Sequence, residues 1–154
     1  MSLTLGSDVR TLFVAQPPAQ YLIRPPIVID CSVLAGLIFE ESWQLQAIEK
    51  IQGRTLNAPY LLQTEIASVA LKKHKKGAEE IAENGLAHYA TLSIELHRVY
   101  PADSFALAVR YKLTAYDASY LWLAAELKAP LATFDEKLAE AAQIHLARDR
   151  KSVV

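Results

Sequence analysis

Cysteine, long apolar runs and an excess of positive charge are all scarce in this sequence, and each shortage excludes something. One cysteine, Cys31, leaves no internal disulfide, so the expected setting is the reducing cytoplasm. The four histidines, His74, His88, His97 and His145, show neither C-x-x-C nor H-x-x-x-H spacing, which argues against a zinc site. The longest apolar candidate, Leu121 to Ala125, is flanked by Asp117 and Glu126 and falls far short of the ~20 residues that span a bilayer. Sixteen basic side chains against seventeen acidic ones give a net charge of −1. A general cationic coat is therefore absent, and any nucleic-acid binding must rest on a local patch. The chain has no glycine-rich phosphate loop and no spacing that suggests a Ser-His-Asp set.

What remains is an ordinary globular composition: 154 residues, 52% hydrophobic and 21% charged, enough for one domain with a sizeable core. Residues 1–26 differ from the rest, holding Pro17, Pro18, Pro25 and Pro26. They read as an extension, either a partner-binding arm or a loose terminus. The domain proper is expected over 27–147, with a charged tail at 148–154.

From Ile27 onward, short strands alternate with helices. Ile27-Val28-Ile29 is a β-branched run that reads as a buried strand. Helices are expected from Ser32 to Phe39 and from Trp43 to Ile51, followed by a weak strand at Thr55-Leu56-Asn57. Pro59 precedes a helix running to about Lys76, where Gly77 breaks the pattern before another helix to Thr91. Ile94 to Tyr100 reads as the third strand, and Asp103-Ser104 as the cap of the next helix. Thr114 caps another helix, Pro130 to Thr133 is the fourth strand, and Asp135 opens a last helix to about Ala142. Ile144 to Leu146 is a candidate fifth edge strand. This order predicts a three-layer α/β/α sandwich around a parallel sheet of four to five strands. Right-handed crossovers place all strand C-termini at one edge, where ligands bind in open α/β sheets.

Four acidic residues fall at that edge. Asp30 ends the first strand, and Asp135 follows the fourth. Glu65 lies one turn into the helix after the second strand, and Asp117 lies in the first turn of the helix leading to the fourth. Each has a plain structural alternative. Asp30 and Asp135 suit helix N-caps, Thr114-x-x-Asp117 resembles a capping box, and Glu65 suits the start of a helix dipole. Together they carry more weight, because gathered carboxylates repel and desolvate one another unless a cation neutralises them. Oxygen ligands without histidine or cysteine select Mg²⁺ or Mn²⁺.

In this order, Ile27-Val28-Ile29-Asp30-Cys31-Ser32, Pro59-x-x-Leu62-x-x-Glu65-Ile66-Ala67, Thr114-Ala115-Tyr116-Asp117-Ala118-Ser119-Tyr120-Leu121 and Ala132-Thr133-Phe134-Asp135 resemble the PIN-domain nucleases. The resemblance is greatest to the ribonuclease toxins of bacterial toxin–antitoxin pairs, and it spans about Ile27 to Ile144. It implies an endoribonuclease with one or two Mg²⁺ or Mn²⁺ ions, whose acidic quartet is Asp30, Glu65, Asp117 and Asp135. Ser32 and Thr133 match hydroxyl positions near the metals. It also implies an RNA substrate, a separate antitoxin chain and a homodimer, for which Trp43 to Ile51 and Leu61 to Leu71 offer surplus apolar surface. The densest basic run, Lys72, Lys73, Lys75 and Lys76 around His74, is either a track for RNA phosphates or a solvated helix end; Arg110 and Lys112 are similar. A haloacid-type phosphatase wants a second aspartate where Ser32 stands, and a receiver-type domain wants one ending the third strand, where none is found. The competing class is a PIN-fold protein- or RNA-binding module without cleavage.

Overall fold

Among the described residues, four strands are separated by two helices each, and a seventh helix follows the last strand. The computed structural model describes residues 12, 13, 15 and 24–151, without the side chains of 149–151. The expected arm within 1–26 and the last residues of the expected tail fall largely outside the described residues. The elements are β1 (Pro26–Ile29), α1 (Cys31–Ile38), α2 (Gln44–Ile51), β2 (Thr55–Pro59), α3 (Leu61–Lys75), α4 (Glu79–Thr91), β3 (Ile94–His97), α5 (Pro101–Tyr111), α6 (Ala115–Leu127), β4 (Leu131–Ala132) and α7 (Glu136–Lys151). All pairings are parallel, in the order β3-β2-β1-β4, with Ile27 opposite Leu56, Ile29 opposite Ala132 and Ala58 opposite Leu96. This is the expected α/β sandwich, with four strands.

β1 is central and covered on both faces, which is why its sequence is apolar without alternation: Ile27, Val28 and Ile29 are all buried. The main core joins the sheet to α1, α3, α4 and the inner face of α6. A second cluster, with Leu107, Leu121 and Leu138 at its centre, binds α5, α6 and α7 together. All strand C-termini point to one edge, and each is followed by a helix that begins there.

Three expectations are corrected. The candidate fifth strand at 144–146 lies inside α7, which runs unbroken to Lys151. No glycine or proline interrupts it, and Leu138, Ala141, Ala142 and Leu146 recur at helical spacing and pack inward. The same helix takes in the start of the expected tail. β3 ends at His97 instead of Tyr100, and α5 begins at Pro101 with Tyr100 extended before it (φ −78°, ψ 143°). Proline fixes its own φ for a first helical turn and pushes the preceding residue out of the helix, so the start lies ahead of Asp103-Ser104. The stop at Gly77 is as read: its φ of +85° ends α3 in the left-handed conformation.

Gly85, buried in α4, lets that helix approach α1. A Cβ built there would lie 2.3 Å from the ring of Phe39 and 3.0 Å from the carbonyl of Ile38. Phe39 is itself fully buried and has no room to yield. Overpacking of this kind costs about 1–3 kcal/mol, against at most ~1 kcal/mol gained in helix propensity. Gly85→Ala is therefore expected to lower the urea midpoint; an unchanged or raised midpoint would show that α4 shifts freely.

Candidate functional site

Asp30 is the anchor of the acidic edge. Its backbone is extended (φ −92°, ψ 177°), and its carboxylate caps α1 by accepting from the Val33 amide at 3.2 Å. The Ser32 hydroxyl donates to Oδ1 at 2.6 Å, and the Thr133 hydroxyl donates to Oδ2. Those hydroxyls also reach across to the β4–α7 junction. Ser32 Oγ accepts from the Phe134 amide at 3.0 Å, and Thr133 Oγ1 accepts from the Asp135 amide at 2.9 Å. Two short polar side chains thus lock the end of β1 to the end of β4.

The other three acids come from separate helices. Glu65 is half-buried in α3, and the Tyr120 hydroxyl of α6 donates to its Oε1 at 2.6 Å. Asp117 sits in the first turn of α6, whose cap is Thr114: the Thr114 Oγ1 accepts from the Asp117 amide at 3.1 Å. Asp135 caps α7 by accepting from the Leu138 amide at 2.9 Å. The capping alternatives for Asp30, Asp135 and Thr114 therefore hold, and they coexist with a shared location.

Charge shows that shared location. Burial raises the pKa of Asp30 above its ordinary value, while Ser32, Thr133 and the Val33 amide partly offset it. Glu65 is raised first by burial and further by the charges of Asp30 and Asp117, against the Tyr120 hydrogen bond. Asp117 is raised by burial, then by Asp135 and Asp30, with Thr114 and Lys137 opposing. The carboxylates thus act on one another, with Asp117 linking Asp135 to the rest. The Cys31 thiol is pushed up to about 12 by burial and then by the charges of Glu65 and Asp30. It is a packing residue, not a nucleophile.

Among the described residues, no three His, Cys, Asp or Glu side chains are grouped so that they could hold a metal ion. The donor set still fits a hard divalent ion. It is all carboxylate oxygen, and such ions are commonly held by one or two carboxylates, with water and substrate phosphate supplying the rest.

The basic candidates separate. Lys73 is already engaged: its ammonium pairs with Glu41 at 2.6 Å and lies 5.8 Å from the centre of the Phe39 ring. Lys72 is exposed, and its charge is felt at Cys31, which places it toward the acidic edge. Lys75 and Lys76 are exposed at the end of α3. Arg110 lies over the Tyr111 ring at 5.8 Å. Lys112 takes the left-handed C-cap of α5 at φ 55°. Neither is among the leading charges on the three raised carboxylates. Two residues escaped the sequence reading as parts of the site. Tyr120, three positions after Asp117 on the same helix, orients Glu65; Lys137, two after Asp135, is the cation that acts on Asp117. Helical spacing from Asp117 was the available signal for Tyr120; for Lys137 local sequence offered none.

A family model for the PIN domain matches residues 27–144. This chain belongs to the PIN-domain family. Ribonuclease VapC3 of Pyrobaculum aerophilum is 31% identical to it over 121 residues, 74% of this chain and 92% of the relative. Ribonuclease VapC9 of Mycobacterium tuberculosis is 29% identical over 120 residues, 76% of this chain and 91% of the relative. The crystal structure of PAE2754 from Pyrobaculum aerophilum superposes with a TM-score of 0.56 at 20% identity, over 83% of this chain and 91% of that one. At that identity the structure speaks for the PIN fold alone. Among the described residues, no helix is long and apolar enough to cross a membrane.

Proposed function

We propose that this PIN-domain chain is a divalent-metal-dependent endoribonuclease and the toxin of a toxin–antitoxin pair. The observation that carries this reading is the set of four carboxylates borne by four different elements at one sheet edge, where the charges of Asp30, Asp117 and Asp135 raise the pKa of Glu65 or Asp117. Proteins seldom hold such a set together without a cation to offset it. The related chains named as VapC ribonucleases support the choice of RNA.

Asp30, Glu65, Asp117 and Asp135 would hold one or two Mg²⁺ or Mn²⁺ ions. Bound there, such ions supply the positive charge that activates a water and stabilises the leaving oxygen of a phosphodiester. The chain's own residues keep the acids ready. Asp30 Oδ1 accepts from Ser32 and from the Val33 amide, while Oδ2 accepts from Thr133. A carboxylate oxygen has about two acceptor sites, so Oδ2 keeps one lone pair for a cation. Tyr120 holds Glu65 in the same way, through Oε1, leaving Oε2 open. Exposed Lys72, Lys75 and Lys76, with Arg110 and Lys112, are the side chains to guide RNA phosphates; Lys73 joins them only by giving up Glu41. A homodimer has support in the exposed Leu45 and Ile48 of α2 and Leu71 of α3. A separate antitoxin chain would occupy the acidic crevice, and a lone half-buried thiol suits the cytoplasm.

The test is direct. Purified chain with Mg²⁺ or Mn²⁺ is expected to cleave mixed RNA internally, to stop on chelation and to resume when the ion is restored. RNA left intact with either ion would overturn the enzyme reading in favour of a binding module.

A further inference from the structure

β4 is the outer strand of the sheet, and its open side is not bare. The carbonyls of Pro130 and Ala132 accept from the Val28 and Asp30 amides of β1. Leu131, between them, therefore directs its own amide and carbonyl away from β1. That side opens on a cleft of 790 Å³ walled by α1 and the end of α2 on one hand and by α7 on the other, with Val33, Ala142 and Leu146 in its lining. The lining is largely apolar; it includes Lys50 and Arg54 and no carboxylate. Among the described residues this edge pairs with no strand; an edge walled on both faces is the position of a further strand, which needs apolar residues on both faces.

The chain carries one such segment, of which Leu12, Phe13 and Ala15 are described and lie outside every strand and helix. Leu12-Phe13-Val14-Ala15 is the longest apolar run ahead of β1. Leu12 is 87% and Phe13 58% exposed, and neither lines the cleft. The chain enters the sheet through Arg24 and Pro25, whose carbonyls accept from the Thr55 hydroxyl at 3.2 Å and the Thr55 amide at 3.1 Å. Arg54, next to Thr55, and Ile27 both line the cleft, so the entry lies beside it. The residues from Ala15 to Arg24 span up to about 30 Å when extended, enough to lay the run along β4.

We propose that residues 12–15 add to the free edge of β4 as a fifth strand, closing the cleft within one chain. This contact does not depend on the nuclease reading. It also touches the acidic edge, because Thr133 both lines the cleft and donates to Asp30.

Cross-linking and amide exchange test it on the full chain. In a Cys31→Ser background, Phe13→Cys with Gln143→Cys places two thiols at exposed positions, the second on the cleft wall. Mild oxidation is expected to give a disulfide within one chain, read by mass as a monomer that has lost both thiols. The Leu131 amide is expected to exchange at least about tenfold faster in Leu12→Asp/Phe13→Asp than in the parent, since the variant keeps the edge open. The side chains replaced stand in water, so the domain does not need them to fold. Absence of the monomeric cross-link, with Leu131 exchange equal in parent and variant, would overturn the proposal. A cross-link joining two chains would also overturn it, by making a second copy the occupant.

Discussion

Asp30→Asn is expected to reduce RNA cleavage about a thousandfold while leaving the metal-free fold as stable as the parent or more so. The activity loss follows from the several kcal/mol that a metal's charge contributes to a phosphodiester transition state, at about 1.4 kcal/mol per tenfold. Stability should follow the opposite logic. Asp30 is 5% exposed, and burial disfavours its charge. Asparagine keeps the shape, remains a good N-cap for the Val33 amide, and removes a buried charge that repels Glu65 and Asp117. With the amide oxygen kept at the Oδ1 position for Val33 and Ser32, the new nitrogen takes the place of Oδ2, and the Thr133 hydroxyl can rotate to accept from it. The decisive measurement pairs a cleavage assay with metal-free thermal unfolding. Full activity would remove Asp30 from the chemistry. Lost activity with a collapsed melting temperature would mean that the residue's capping role dominates.

The second large effect is a stability that depends on pH and metal together. Asp30, Glu65 and Asp117 have folded-state pKa values raised above their ordinary 3.8, 4.5 and 3.8. A raised carboxylate contributes its stability in full below its unfolded value and loses it as pH rises through the folded value. Without metal, these three groups should therefore favour the fold near pH 4 and weaken it toward neutrality. A divalent ion binds the charged carboxylates and reverses that trend. An ion at one hundred times its Kd adds about 2.7 kcal/mol, a rise in Tm of roughly 5–10 °C for a chain this size. Asp117→Asn should lose most of the increment, because Asp117 links Asp135 to the other two acids. Melting curves from pH 4 to 8, with and without millimolar Mn²⁺, separate these contributions. No ion-dependent shift at neutral pH would mean that the carboxylates do not form a preformed site.

Much of this protein was already determined by local sequence. The unbroken Ile27-Val28-Ile29 run allows only a strand buried on both faces, and Asp30 after it must then emerge at the strand's C-terminal end. Thr114 three residues before Asp117, and Asp135 before an alanine-rich run, are helix starts because their side chains satisfy amides only a few residues away. Such features need no knowledge of the rest of the fold. The acids were legible for that reason, each lying at an element boundary set by its immediate neighbours.

Tertiary structure decided what depends on which faces meet. Ile144 to Leu146 taken alone suits an edge strand or a helix; continuity with the helical spacing of Leu138 and Ala142, packed against neighbouring elements, made it α7. Lys73 sits in a run of equivalent lysines, yet it alone is spent on Glu41, 32 residues away. The hydroxyls that hold the site reach further still, Tyr120 to Glu65 across 55 residues and Thr133 to Asp30 across 103. A hydrogen bond between distant residues forms only after the sheet order has placed β4 beside β1 and α6 over both, and that order follows from burial of both sheet faces, which no short stretch of sequence encodes.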